Sequence, residues 1–143
     1  MVDTVAHVLV PTDGSPLSRE ALDYAMTVHP TARLTLLHVV DYVEEITVAE
    51  ALIGFEELHK RATSRAEDLL EREAARASEH DGDVITEFVF GEPSREISDY
   101  AADHDVDLVV IGSHGRTGLS RVLLGSVAQR VLQRAPVPVT VIR

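Results

Sequence analysis

Apolar positions along the chain follow two alternating rhythms. Five short runs are continuous and rich in β-branched residues: Val5-Ala6-His7-Val8-Leu9-Val10, Leu34 to Val40, Val84 to Phe90, Leu108 to Ile111 and Val137 to Ile142. Continuous apolar runs of this length predict strands buried on both faces, as in a parallel sheet. Between them the spacing turns helical. Ala21, Leu22, Ala25 and Met26 form one stripe, opened by Ser15-Pro16 as N-cap and first helical residue and closed by His29-Pro30. After Gly54, the residues Phe55, Leu58, Ala62, Ala66, Leu69 and Leu70 form a second stripe opposite a face of Glu and Arg, ended by Asp81-Gly82. Ile97, Tyr100 and Ala101 mark a third helix behind the turn Gly91-Glu92-Pro93. A fourth runs from Ser126 to Gln133, where Ser126 and Gln129 have the spacing of a capping box. Val43 to Gly54 has no clean period and reads as a loop or a frayed turn.

Strands alternating with helices through short connections predict one doubly wound α/β domain over residues 1–143, with right-handed crossovers. Pro138 lies within the last apolar run and lacks an N–H, which places that strand at an edge of the sheet. An apolar edge strand needs cover, and pairing of Val137 to Ile142 with a second copy across a two-fold axis would supply it.

Composition narrows the function classes. A chain of 143 residues, 45% hydrophobic, is enough for one real core. No apolar run approaches the roughly 20 residues that span a bilayer, and no signal peptide is visible at the N-terminus, so a soluble cytoplasmic protein is expected. The absence of cysteine removes disulfides, thiolate metal sites and thiol chemistry. A net charge of -11 disfavours nucleic acid and anionic membrane as partners. Lys60 is the sole lysine, and an acidic, lysine-poor surface is also what a high-salt habitat would favour.

Candidate chemistry gathers at two strand ends. Ligands of open parallel sheets bind beyond the carboxyl ends of strands, where the strand order reverses. After the first strand come Pro11-Thr12-Asp13-Gly14-Ser15; after the fourth come Gly112, Ser113, His114 and Gly115, then, after nine intervening residues, Gly125-Ser126. Small residues leading into a helix N-terminus suit a phosphate, because backbone N–H groups can approach the anion and the helix dipole favours it. If the two strands are neighbours, Asp13 can accept hydrogen bonds from a nucleoside, or it can simply bond its own turn. Gly125 interrupts an apparently helical stretch from Leu119 to Leu132, which favours an anion-binding account of it. His114 either touches a phosphate or sits exposed in the loop. His38, among apolar neighbours, reads as a satisfied core histidine, and Arg116 and Arg121 either neutralise phosphate or pair with surface acids.

Familiar catalytic patterns are missing from the sequence. There is no Gly-Lys-Ser/Thr, and Gly112-x-x-Gly115 lacks the dinucleotide spacing. The third run ends Phe90-Gly91 without the acidic phosphoacceptor of a receiver domain, and Ser15, Ser113 and Ser126 have no evident His/Asp pair.

Val-Pro-Thr-Asp-Gly-Ser (10–15), Leu-Leu-His-Val-Val-Asp (36–41), Gly-Glu-Pro (91–93), Asp-Leu-Val-Val-Ile-Gly-Ser-His-Gly-Arg (107–116) and Pro-Val-Pro-Val (136–139) together resemble a universal stress protein domain of the ATP-binding branch. The spacing Gly112-x2-Gly115-x9-Gly125-Ser126 is similar to that family's nucleotide signature. The resemblance implies a Rossmann-like sheet of order 3-2-1-4-5, of the adenine nucleotide alpha hydrolase-like kind. It implies that Pro11, Thr12 and Asp13 line the ribose and base end and that Val39 contacts adenine. By the same resemblance Ile111, Gly112, His114, Gly115, Gly125, Ser126 and Val127 hold ribose and phosphates. ATP would come with Mg or Mn on its phosphates and no protein metal ligands. The implied function is a nucleotide-responsive homodimer, formed through the last strand, that acts in stress response or signalling with a protein partner still to be identified. A slow ATPase or nucleotidyl-transfer enzyme, and a structural dimer without nucleotide, are the alternatives.

Overall fold

The computed structural model describes residues 4–41, 52–114 and 123–143. The chain order is β1 (His7–Pro11), α1 (Pro16–Val28), β2 (Arg33–Val40), α2 (Phe55–Arg76), β3 (Val84–Phe90), α3 (Pro93–Asp103), β4 (Leu108–Gly112), α4 (Ser126–Arg134) and β5 (Val139–Ile142). The strands form one parallel sheet in the order β3-β2-β1-β4-β5. The reversal that the ligand argument required therefore lies between β1 and β4, where Val8 faces Leu108 and Leu9 faces Val109.

Alternation along the central strands explains why helices cover both faces. Val8 and Val10 point into a cluster with Ala21, Leu22 and Ala25 of α1 and Leu69 and Leu70 of α2. Leu9, one residue out of step, joins Ile97, Tyr100 and Ala101 of α3 and Val131 of α4 on the other side. Every residue of β1 is buried, which is why its sequence is continuously apolar rather than alternating. Among the described residues no helix is long and apolar enough to cross a membrane.

Two strands start two residues later than expected. The first strand begins at His7 rather than Val5, and the last begins at Val139 rather than Val137. At β5 the cause is proline: Pro136 and Pro138 have no N–H to give, and Pro138 enters only through its carbonyl, which accepts from Val109 N at 3.0 Å. At β1, Asp107 acts as a clamp. Its Oδ2 accepts from the amides of Ala6 and His7 at 2.9 Å each, tying the start of β1 to the start of β4 at the end opposite the crevice. The segment Val43 to Gly54, expected as loop or frayed turn, lies outside the described residues from 43 to 51.

Candidate functional site

The turn after β1 is stitched in place by its own polar residues. Asp13 Oδ1 accepts from Ser15 N at 2.9 Å, and Ser15 Oγ caps α1 by accepting from Ser18 N at 3.3 Å. Thr12 is tied to β2 twice: its amide donates to Leu37 O at 2.9 Å, and its carbonyl accepts from His38 Nδ1 at 2.8 Å. Asp13 thus forms its local turn and also stands on the cavity wall.

Ser113 is the joint on the other side of the crevice. Its amide donates to Ile142 O of β5 and its carbonyl accepts from Gly125 N, each at 2.7 Å. The second bond draws the start of α4 against the end of β4, across the stretch 115–122 that lies outside the described residues. Gly112 is required by close approach: a Cβ there would stand 2.9 Å from Leu17 Cβ, blocking the first turn of α1.

Two expectations about α4 are corrected here. The capping box of Ser126 and Gln129 does not form; Gly125 occupies the N-cap position, Ser126 is the first helical residue, and no side chain caps the helix. The Gly125 amide is committed to Ser113 O, which sets residue 125 as the junction and starts the helix one residue later. Gly125 also does not interrupt a helix, since Leu123 and Leu124 before it are not helical. The open end of α4 faces the crevice, with its dipole and first-turn amides available to an anion.

A cavity of about 550 Å³ lies where these loops meet, within the range of small-molecule sites. Pro11, Thr12 and Asp13 enter it from β1 and Val39 from β2. Ile111, Gly112 and His114 come from β4 and its extension, and Gly125, Ser126 and Val127 from α4. Ten of the expected site residues therefore converge. The remaining one, Gly115, lies outside the described residues, as do Arg116 and Arg121.

His114 differs from one of its sequence readings. It is not an exposed loop residue: it is 6% exposed, with Nδ1 2.9 Å from Ser113 Oγ. Its Nε2 is buried and has no hydrogen-bond partner among the described residues. An orphaned polar atom of this kind costs about 1–3 kcal/mol, so its presence on a cavity wall marks where a ligand atom would be favourable.

Several wall residues were not anticipated. His38 is buried and bonded, as a core histidine should be, but it also lines the cavity. Ser113 acts as a structural joint, a role with no sequence signature. Pro93 and Ile97 arrive from α3, brought in by the packing of α3 against α4. That packing has an electrostatic clasp. Glu92 caps α3 by accepting from Ser94 N at 3.2 Å and Arg95 N at 2.9 Å, and its carboxylate lies 3.6 Å from Arg130 of α4. Partial burial alone would push the Glu92 carboxyl up, but the hydrogen bonds from Ser94 and Arg95 and the charge of Arg130 together hold it below its ordinary value.

Comparison with known proteins agrees with this geometry. The sequence model described as "Universal stress protein family" matches residues 4–143. Universal stress protein MJ0531 of Methanocaldococcus jannaschii is 34% identical over 95% of this chain and 81% of its own length. Universal stress protein YxiE of Bacillus subtilis is 32% identical over 95% and 97%. Among solved structures, universal stress protein UspA from Lactobacillus plantarum superposes with a TM-score of 0.84 at 31% identity, covering 99% of this chain and 100% of that one. A universal stress protein solved in complex with cAMP superposes with a TM-score of 0.70 at 26% identity, covering 96% and 97%. By the extent of the sequence match and the shared sheet order, this chain belongs to the universal stress protein family.

Proposed function

We propose that the cavity between β1 and β4 holds an adenine nucleotide, ATP with Mg or Mn carried on its phosphates, and that the chain acts in stress response as a nucleotide-responsive homodimer. The observation that carries this reading is the buried Nε2 of His114, without a partner among the described residues, beside the N-terminus of α4, which no side chain caps. Both offer stabilisation to phosphate oxygens. The rest of the wall suits a nucleoside. Val39, Ile97 and Ile111 supply apolar surface for a base, and Asp13 supplies a carboxylate acceptor for hydroxyl or amino groups. A structural relative at 26% identity was solved with cAMP, a ligand of the same chemical class. The cytoplasm is the compartment that fits an adenine-nucleotide ligand and a chain without cysteine.

Dimerisation through the last strand is supported by the sheet itself. β5 is an edge, bonded to β4 on one side only, and Val139 and Val141 are only partly buried. Pairing of two such edges would satisfy their outward backbone groups.

Mass spectrometry of nucleotide released from freshly purified protein, followed by calorimetry with ATP, tests the proposal. An adenine nucleotide in the purified protein or calorimetric binding is expected, and absence of both would overturn the reading. Incubation with ATP and Mg is expected to give binding without turnover. Turnover abolished by Asp13→Ala would instead make the protein an ATP-hydrolysing or nucleotidyl-transfer enzyme.

A further inference from the structure

The geometry points to Ser113 as a positioning residue that holds His114 in the tautomer whose Nε2 carries the hydrogen, so that His114 meets the ligand as a hydrogen-bond donor. The inference rests on the nucleotide reading for its ligand but not for its tautomer. Ser113 is 1% exposed, and among the described residues its hydroxyl has one partner, His114 Nδ1 at 2.9 Å. Two arrangements of that bond are conceivable. If Nδ1–H donated to Oγ, the serine hydroxyl hydrogen would be buried without an acceptor and Nε2 would be a second unsatisfied atom. If the serine hydroxyl donates to Nδ1, both of those groups are satisfied and only Nε2–H remains. Burying an unpaired polar group is costly, so the second arrangement wins. The same bookkeeping places a hydrogen on Nδ1 of His38, which faces the carbonyl of Thr12, a group that can only accept.

The consequence concerns ligand selection. An orphan N–H on the cavity wall favours an oxygen acceptor and offers nothing to a donor. Phosphate oxygens are the acceptors that a nucleotide brings and that adenosine lacks. Ser113 therefore adds most to affinity when the ligand carries phosphate, whose charged oxygens are stronger acceptors than ribose hydroxyls, although its own hydroxyl is engaged by His114. Its backbone contacts to Ile142 and Gly125 are independent of the hydroxyl, so Ser113→Ala leaves the joint between β4, β5 and α4 intact.

Nitrogen-15 NMR of the histidine rings in the nucleotide-free protein is the direct test. An Nε2–H pattern for His114 in the wild type, shifting to a tautomer mixture in Ser113→Ala, is expected. An Nδ1–H pattern or a doubly protonated ring in the wild type would overturn the assignment whether or not nucleotide binds. Calorimetry with ATP and with adenosine supplies the functional arm. Ser113→Ala is expected to weaken ATP about tenfold while changing adenosine less than twofold, with partial recovery in Ser113→Thr, which keeps the hydroxyl. Equal loss for both ligands would make Ser113 merely structural and overturn the positioning role. If the wild type bound neither ligand, the nucleotide reading would fail while the NMR result still decided the tautomer.

Discussion

At the scale of single residues, the site depends on how closely backbone segments approach. Gly125 has φ -66° and ψ 157°, a conformation open to any residue, so its smallness is not demanded by backbone strain. A Cβ there would lie 2.8 Å from Ser113 O and 3.5 Å from His114 Cα. Gly125→Ala is therefore expected to push the two halves of the site apart. Stability should fall by about 1–2 kcal/mol in denaturant melts, and ATP affinity should fall about tenfold or more by calorimetry. Unchanged affinity would mean that the junction does not govern binding. Tyr100 illustrates a residue remote from the cavity. Burial first, and then the hydrogen bond and negative charge of Glu87, push its hydroxyl up from 10.0 to about 12. A raised value means the folded state holds the proton more tightly. The contribution is complete below pH 10, where both states are protonated, and is lost as pH rises towards 12. Tyr100→Phe is expected to flatten the decline in stability over that window, measured by urea melts at fixed ionic strength.

At the scale of elements, α3 and α4 are coupled through Glu92, and both contribute to the cavity wall. Removing an N-cap side chain costs about 1 kcal/mol, so Glu92→Ala should destabilise the fold by that order. The acid response has a definite sign. Because the folded-state value of Glu92 is depressed, its contribution is present above the unfolded value near 4.5 and disappears as pH falls through the lower folded one. The stability difference between wild type and Glu92→Ala should therefore shrink on acidification. A difference that persisted at pH 2 would show that packing, not the carboxylate, carries the effect. The carboxylate side chain is 41% exposed, so most of the benefit comes from the cap bonds rather than from Arg130.

At the scale of the whole molecule, the edge strand β5 and the net charge set the terms of the proposed dimer. The carbonyls of Pro138 and Ile142 point towards β4, so by alternation the backbone groups of Val139 and Val141 point outward. Val141→Pro removes an outward N–H while sparing the ladder to β4. It is expected to convert the proposed dimer to a monomer in light scattering with the circular dichroism spectrum retained. Thr140→Pro, which breaks the inward ladder, should instead destabilise the fold. A dimer that survived Val141→Pro would exclude edge pairing through this strand. The charge of -11 makes a separate prediction, since self-repulsion is screened by salt. We expect greater resistance to urea in molar KCl than in dilute buffer. Equal stability in the two would remove the case for high-salt adaptation.

Much of this was legible along the chain because burial on both faces writes itself into composition. The all-apolar β1, the helical stripe of Ala21, Leu22 and Ala25, and the proline at 138 all mark their elements locally. The spacing of Gly112, Gly125 and Ser126 carried the site, because close backbone approach demands small residues in fixed places. What tertiary structure alone decided is how those segments meet. The bond from Gly125 N to Ser113 O turned an expected serine-capped helix into one with an open end. The same meeting of loops buried His114 and left its Nε2 without a partner, and it brought Pro93 and Ile97 from a distant helix to the wall. Such features arise from contacts between residues far apart in sequence. Local pattern reports what each residue prefers, and only packing settles which atom it finds.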